Sequence, residues 1–151
     1  IRYYPVMPQR MRVIVSQKHR LAGREEISIQ ELQGERFISY SQPNGLQQTV
    51  AKILEEYGVQ VEVVNYAEQG ATIAGMVAMG FGVAILPDIP LPTLDICYLS
   101  VREPIPPRWV YLAVMQQRSL TMAAEVFLNF VLNYGGSDVP GIGESGLDEL
   151  D

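Results

Sequence analysis

The sequence predicts an α/β fold built on a parallel-type sheet. Three observations support this prediction: short runs rich in β-branched residues alternate with helical patterns, the connections are short, and glycine, proline or a polar cluster separates each run from the next. Strands and helices that alternate in this way form parallel sheets with helices on both faces. The 151 residues suffice for one ordinary domain.

The first half of the chain begins with two predicted strands and a short helix. The run "MRVIV", residues 11–15, and the run "RFISY", Arg36–Tyr40, have the β-branched and aromatic content of buried strands. Between them, Ser28 is the predicted N-cap of a short helix, "IQEL", that ends at Gly34. The polar segment between the first strand and Ser28 is expected to be a loop.

A long amphipathic helix follows the turn-rich segment "SQPNG". Its apolar residues recur at helical spacing: Leu46, Val50, Ile53, Leu54 and Tyr57. Asn44 is its predicted N-cap and Gly58 the residue that ends it. This helix is also a candidate for a subunit contact, although packing against the sheet alone explains its pattern.

The second half predicts four more strands and two helices. The strand at residues 61–66 leads into a helix that starts near Gln69 and ends at Gly80, and the run "VAILP" is a buried strand. Further strands are predicted in "LDICYLSV" and at residues 108–115. Ser119 is the expected cap of a last helix, residues 120–133. That helix is apolar on most sides, so it is either buried or packs on something outside this chain.

Three glycines in "GMVAMGFGVAILPD" have separate predicted roles. Gly75 is expected to allow close packing of its helix. Gly80 is expected to cap that helix, and Gly82 to permit a tight turn from helix to strand. The segment is therefore a helix end, a turn and a strand, and it is too short to span a bilayer, which takes about 18–20 apolar residues.

Charge is distributed unevenly along the chain. The net charge is −6, and the Gly-rich tail after Gly135 holds five acidic residues and no basic one. We expect residues 136–151 to be a disordered acidic tail. The first 24 residues hold six of the eleven basic residues and no acidic one. A solvated basic face is the favoured interpretation, and an anion site is the alternative. No nucleic-acid footprint is evident.

Sequence signatures of catalysis are absent. The chain has no GxSxG, P-loop, HExxH or GxGxxG-after-strand motif. One cysteine, Cys97, and one histidine, His19, exclude a disulfide framework and a Cys/His metal site. We therefore predict no catalytic residues, no metal and no cofactor, and we do not expect an enzyme. The low cysteine content fits a reducing cytoplasm.

Two polar loops are the candidate binding positions. Ser41, Gln42 and Asn44 follow the second strand and precede the amphipathic helix. The second loop contains Glu68, Gln69 and Thr72, which lie at the start of the next helix. Ligands of parallel α/β sheets bind beyond the carboxyl ends of strands, where helix N-termini supply N–H donors. Ordinary helix capping is the alternative role for these side chains.

Several segments resemble the regulatory region of LysR-type transcriptional regulators. "RVIVSQKHRLAGREEISIQELQGERFISY" is similar to the family segment in which a strand leads into "HPLA", with His19, Leu21 and Ala22 matching and Arg20 in place of the usual proline. "IAGMVAMGFGVAILPD" resembles the recurrent "VaaGlGvallP" run. "RWVYLAVMQQRSLTMAAEVFLNFV" resembles the closing strand and helix. The likeness covers about residues 11–133 in the family's order.

The resemblance implies a periplasmic-binding-protein-like (type II) subdomain with a mixed, mostly parallel sheet flanked by helices. By this likeness residues 1–10 are a remnant of the first regulatory subdomain, residues 11–116 the second, and residues 117–135 a helix that returns to the first. The chain is expected to be a fragment, because it starts with Ile and contains nothing like the family's helix-turn-helix.

The resemblance also implies a function. A small effector, an organic acid or an amino-acid-like metabolite, would bind in a cleft between the two subdomains and control DNA binding by the absent N-terminal domain. Carried over by position, Arg2 and Tyr3 join the two polar loops as effector-binding residues. The full-length protein would be a cytoplasmic homodimer or tetramer with no membrane contact. Two alternatives remain: a periplasmic solute-binding protein of the same fold, and an enzyme on this fold.

Overall fold

The computed structural model describes residues 1–41, 45–91, 94–115 and 119–134, so the predicted disordered tail and the predicted N-cap Asn44 lie outside it. Within these ranges the elements are β1 (Arg2–Gln9), β2 (Met11–Ser16), β3 (Glu26–Ile27), a 3₁₀ helix (Ile29–Leu32), β4 (Arg36–Tyr40), α1 (Gly45–Glu56), β5 (Glu62–Ala67), α2 (Gly70–Ala78), β6 (Ala84–Pro87), β7 (Ile96–Val101), β8 (Arg108–Val114) and α3 (Met122–Tyr134). None of these helices is long and apolar enough to cross a membrane.

The chain divides into two compact units. Unit 1 contains Ile1–Gln9 and the described residues from Arg108 onward, and unit 2 contains Arg10–Pro107. This division differs from the predicted subdomain of residues 11–116, because β8 pairs antiparallel with β1 instead of joining the larger sheet. The last predicted strand therefore belongs to unit 1.

Unit 2 contains a mixed sheet in which β2 is antiparallel to both of its neighbours. Val13 pairs with Ile85 of β6 on one side and with Leu99 of β7 on the other. The pairs β3–β7 and β4–β5 are parallel. A parallel bridge between Phe37 and Val83 links β4 to the start of β6. Apart from β2, the described strands of this unit run in one direction, which confirms the predicted mostly parallel sheet.

Helices cover both faces of this sheet, as predicted. Alternation along β2 sends Val13 and Val15 to one face and Ile14 to the other, and all three are fully buried. The first face packs against α1 through Val50, Ile53 and Leu54. The second packs against α2 through Ile73, Ala74 and Val77. Full burial of an aliphatic side chain stabilises the fold by about 1.5–3 kcal/mol, so both interfaces contribute.

The predicted helix signals are largely confirmed. Ser28 caps the 3₁₀ helix, and its reciprocal bond with Glu31 completes a capping box. Gln69 is the N-cap residue of α2. Gly58 and Gly80 follow α1 and α2 with φ values of 63° and 79°. Those left-handed conformations favour glycine at a helix end.

Two glycine assignments need correction. A Cβ built on Gly75 meets nothing within 4 Å, so the prediction that Gly75 allows close packing was wrong. Gly82 is not among the glycines with positive φ. Its need for glycine comes from the backbone of β4, since an added Cβ would lie 2.6 Å from the carbonyl oxygen of Arg36. The constraint is a close approach of two backbones, which a single sequence does not display.

Unit 1 holds an antiparallel ribbon of β1 and β8 together with α3. Tyr3 of β1 lies opposite Ala113, and its ring meets that of Tyr111 edge to face at 6.4 Å. The N-cap of α3 is supplied by Thr121, whose Oγ1 accepts a hydrogen bond from the Ala124 N–H at 3.3 Å. The prediction that Ser119 caps this helix was therefore wrong: the cap lies two residues later, where its oxygen can reach a first-turn N–H.

The helix α3 exposes a row of large apolar side chains. The exposed residues are Met122, Val126, Phe127 and Phe130. The expectation that this helix is buried within the chain is therefore wrong. Packing against something beyond the chain remains a prediction.

Candidate functional site

The candidate site lies at the carboxyl edge of β4 and β5. These strands are parallel, and Tyr40 at the end of β4 pairs with Ala67 at the end of β5. Just beyond the pair, the Ser41 N–H donates a hydrogen bond of 3.0 Å to the Ala67 carbonyl. The bond holds the two polar loops side by side and brings Ser41 close to the start of α2.

The first loop presents Ser41, which is half-buried between β4 and α1. Its backbone N–H is committed to Ala67, so its hydroxyl is the group that can serve a ligand. Gln42 and Asn44, the other two predicted residues of this loop, lie outside the described residues. Helix α1 begins directly afterwards at Gly45.

The second loop presents the N-terminus of α2. Gln69 is the N-cap residue, but its side chain makes no capping hydrogen bond and is exposed. The helical bonding begins with the Ile73 N–H, which donates to the Gln69 carbonyl at 3.1 Å. The N–H groups of the preceding turn therefore point outward, where they favour an anion or a polar oxygen. Glu68 and Thr72 are exposed at the same turn.

Glu68 restricts the kind of ligand that this edge can accept. Its exposed carboxylate directly precedes the α2 N-cap, and within the described residues it has no salt-bridge partner. A negative charge beside the helix N-terminus opposes a purely anionic ligand by Coulomb repulsion. A ligand with both an acidic and an amino group would satisfy both elements.

Tyr40 is a residue of this edge that sequence reasoning missed. Its side chain is 2% exposed. Its hydroxyl lies so close to α2 that a Cβ added to Gly70 would be 3.2 Å away. A tyrosine at the end of an apolar strand is readily interpreted as a core residue. In the sequence, only its hydroxyl group indicates that it could take part in a polar site. Gly70 lets the helix N-terminus approach this polar group.

Arg2 and Tyr3 lie on β1 of unit 1, where both are exposed. The Tyr3 ring meets that of Tyr111 on the neighbouring strand edge to face. Their assignment as effector-binding residues rests on the family resemblance and stays a prediction.

Within the described ranges, His19 and Cys97 have structural surroundings. No group of three or more His, Cys, Asp or Glu side chains there could hold a metal ion. The ring Nε2 of His19 lies 3.3 Å from Glu35 Oε2, and Arg20 pairs with the same carboxylate at 2.6 Å. His19 therefore helps to fix its loop against the start of β4. Cys97 is a half-buried residue of β7 that packs on the core.

The chain is similar to bacterial transcriptional regulators. It is 33% identical over 135 residues to the uncharacterized HTH-type transcriptional regulator YybE of Bacillus subtilis, which covers 89% of this chain and 46% of that protein. A second relative, the uncharacterized HTH-type transcriptional regulator YfeR of Shigella flexneri, is 30% identical over 123 residues, covering 80% of this chain and 40% of that protein. The chain thus spans less than half the length of these curated relatives.

Two solved structures with the same fold are regulatory domains. The effector-binding domain of QuiR in complex with shikimate matches with a TM-score of 0.81 and 28% identity, over 89% of this chain and 65% of that one. The regulatory domain of Synechocystis PCC6803 CcmR in complex with 2-PG matches with a TM-score of 0.79 and 25% identity, over 91% and 68%. This neighbourhood confirms the predicted periplasmic-binding-protein-like fold.

The match to a family model identifies the family of this chain. The LysR substrate-binding domain model matches residues 1–135, which include both units and both polar loops. The chain therefore belongs to the LysR substrate-binding domain family.

Proposed function

We propose that this chain is the effector-sensing part of a LysR-type transcriptional regulator and that it binds a small metabolite at the carboxyl edge of β4 and β5. The observation that carries the proposal is the Ser41–Ala67 hydrogen bond, which unites two polar loops at the N-terminus of α2. Exposed backbone N–H groups at a helix N-terminus bind anionic groups. Gln69, Thr72 and the Ser41 hydroxyl add polar groups that could orient a ligand.

The effector is an organic acid or an amino-acid-like metabolite. The helix N-terminus suits a carboxylate, and Glu68 beside it suits an ammonium group. The complex of QuiR with shikimate supports a small carboxylate as the ligand class in this family. On this proposal Arg2 and Tyr3 of unit 1 also contribute to effector binding.

The remaining parts of the proposal concern the whole regulator. DNA binding resides in a helix-turn-helix domain outside this chain, since this chain carries a net charge of −6. The regulator acts in the cytoplasm and catalyses no reaction. The family match favours this function over an exported solute-binding protein. A gel-shift assay at physiological salt should show no retardation of duplex DNA by the chain alone.

Titration of the ¹⁵N-labelled chain tests effector binding directly. Shikimate and a panel of small carboxylic and amino acids are added up to millimolar concentrations while amide shifts are followed by NMR. The expected result is a saturable shift confined to the amides of Ser41 and residues 68–72. Saturable binding whose shifts lie elsewhere would refute the proposed position.

Two conservative variants and one control sharpen this test. Ser41→Ala and Thr72→Val remove hydroxyl groups from the proposed edge and should each weaken binding about tenfold or more, since a hydrogen bond to a charged group contributes about 1.5–3 kcal/mol. Lys52→Gln changes an exposed residue of α1 and should leave affinity unchanged. Equal affinities in all three variants would exclude these loops.

We also propose that the regulator self-associates through α1 and the neighbouring edge strand β5. Among the described strands β5 pairs with β4 alone, which leaves one row of its backbone groups open to a second copy. Val63 and Tyr66 of β5 are 40% and 61% exposed. Light scattering should show that Tyr66→Arg shifts the regulator toward monomer, whereas Lys18→Gln, a change at an exposed residue of the loop after β2, does not. An unchanged mass for Tyr66→Arg would exclude this face.

The segment 117–135 is proposed to return to the first regulatory subdomain of the regulator. The apolar row on α3, represented by Phe127 and Phe130, is the surface that would pack there. Phe130→Ser should then destabilise the whole regulator much more than it destabilises this chain alone, as measured by urea denaturation. Equal effects on both proteins would count against this role.

A further inference from the structure

A cavity of about 540 Å³ in unit 2 is lined by charged residues that the proposed effector edge does not use. Arg10 directly precedes β2, Arg12 is the second residue of β2, and Arg102 follows β7. Asp88, just after β6, and Glu103 also face it. We name this cavity the three-arginine pocket. Its residues come from segments that are distant in sequence, so no local motif announces it.

Two of its charges, Glu103 and Arg102, are engaged by groups outside the pocket. The Glu103 carboxylate accepts hydrogen bonds from the Ser28 hydroxyl and from the Ile29 N–H, the latter at 2.9 Å, so it serves the 3₁₀ helix. The Arg102 Nε donates to Glu26 Oε1 at 3.2 Å. The groups left to interact with a ligand are therefore chiefly Arg10, Arg12 and Asp88, which carry two positive charges and one negative charge.

Arg12 is the least satisfied of these groups. Its Nη1 lies 3.5 Å from Asp88 Oδ2, at the outer limit for a hydrogen bond. Its Nε is shielded from solvent and has no hydrogen-bond partner within the described residues. The guanidinium also lies 5.8 Å from the centre of the Tyr98 ring, which supports it from one side.

A shielded N–H group without an acceptor, such as the Arg12 Nε–H, is energetically costly, and a missing ion or ligand is one of the explanations for such a group. The planar fork of arginine matches the two oxygens of a carboxylate or a phosphate. Arg10 is exposed beside it and adds a second cation. The cavity volume exceeds what a single oxyanion requires, which leaves room for the body of a small metabolite.

We propose that the three-arginine pocket binds the oxyanion of a small metabolite, a carboxylate or a phosphate, as a second ligand site distinct from the Ser41–Ala67 edge. Arg12 and Arg10 hold the oxyanion, and Asp88 orients Arg12. This inference goes beyond the proposed effector site and does not depend on it, because the two sites share no residue.

Calorimetric titration of the chain with inorganic phosphate and, separately, with succinate tests the proposal. Sodium chloride holds the ionic strength constant, so that general screening contributes equally throughout. The wild-type chain should bind at least one of the two anions saturably. Arg12→Gln and Arg10→Gln should each weaken binding about tenfold, which corresponds to about 1.4 kcal/mol.

Arg36→Gln, an exposed residue at the start of β4, is the matched control and should bind like the wild type. Arg10 is exposed, so Arg10→Gln keeps the test valid if Arg12→Gln proves unstable. Saturable binding of phosphate alone assigns a phosphate-bearing ligand, and of succinate alone a carboxylate. Saturation by neither anion, or equal affinity in all three variants, overturns the proposal.

NMR separates this site from the effector edge. Binding here should move the amides of Arg12, Asp88 and Arg102, whereas binding at the effector edge should move those of Ser41 and Thr72. A phosphate or succinate response confined to the second set would overturn the three-arginine pocket and leave the effector proposal standing.

Discussion

Gly82 packs directly against the backbone of Arg36, so that a methyl group at its Cα would lie 2.6 Å from the Arg36 carbonyl oxygen. Next to this contact, the Val83 N–H donates a hydrogen bond of 2.8 Å to the same carbonyl oxygen, and this bond joins the start of β6 to β4. Gly82→Ala must push these strands apart. We expect it to lower the free energy of unfolding by about 1–3 kcal/mol or more, as overpacking of a core does.

Gly75→Ala is the matched comparison for that change. A Cβ at Gly75 meets nothing within 4 Å, and the residue lies inside α2. Alanine in a helix interior is more stable than glycine by roughly 0.5–1 kcal/mol, so this variant should be more stable than the wild type. Urea denaturation followed by circular dichroism measures both. A stabilising Gly82→Ala or a strongly destabilising Gly75→Ala would contradict the packing.

Acid sensitivity should arise at the 3₁₀ helix. Burial raises the pKa of the Glu103 carboxyl, but hydrogen bonds from the Ser28 hydroxyl and the Ile29 N–H outweigh burial and hold the pKa below its ordinary value of 4.5. The hydrogen bond from Arg24 likewise lowers the pKa of Glu31, the capping-box partner of Ser28. Both carboxyls therefore stabilise the fold fully above pH 4.5, and this contribution is lost as the pH falls through their folded-state pKa values.

The melting temperature measured between pH 7 and pH 3 tests the predicted loss of stability at low pH. It should fall below pH 4.5 in the wild type, and Glu103→Gln should reduce both the stability at pH 7 and the steepness of the fall. Glu55→Gln, an exposed residue of α1, should follow the wild-type curve. A Glu103→Gln profile parallel to the wild type would show that Glu103 does not contribute.

The N-cap of α3 can be tested with two neighbouring hydroxyl residues. Thr121→Ala removes the acceptor of the Ala124 N–H and should cost about 1 kcal/mol of helix stability, the usual effect of losing such a cap. Ser119→Ala should have little effect. Far-ultraviolet circular dichroism during thermal unfolding reports the helix, and a larger loss in Ser119→Ala would restore the sequence-based assignment.

The position of β2 at the centre of its sheet predicts a steep contrast in core sensitivity. Ile14 is fully buried against α2, so Ile14→Ala should cost about 2–5 kcal/mol. Val63 on the edge strand β5 is 40% exposed, and Val63→Ala should change stability by about 0.5 kcal/mol or less. Similar costs at both positions would be inconsistent with this strand order.

The parts of the fold that local chemistry encodes could be predicted from the sequence. Gly58 and Gly80 mark helix ends because left-handed backbone favours glycine, and Ser28 marks a start because its side chain binds the first turn. The family likeness predicts residues 1–10 only as a remnant of the first regulatory subdomain, and the structure has strand β1 there although Pro5 and Pro8 lack N–H donors. A two-stranded ribbon tolerates them, with a bulge between Pro5 and Met7.

Relationships between distant segments account for what the sequence did not reveal. The proximity of Ser41 to the start of α2 was predictable, because parallel strands end at one edge. The approach of Tyr40 to Gly70 and the convergence of Arg12 with Asp88 depend on how whole elements pack. A basic cluster near the N-terminus was visible, but nothing local distinguished Arg12, whose Nε is shielded, from its exposed neighbours.

The central place of β2 has a consequence for how the chain is synthesised. Val13 leaves the ribosome well before its partners Ile85 and Leu99, which emerge near the end of unit 2. The hydrophobic strand β2 therefore has no strand partner in the nascent chain until most of the unit has been translated. Contacts of such long sequence separation slow folding. A nascent chain truncated before β7 would display an open strand to chaperones, and the unit should close only after that last strand arrives.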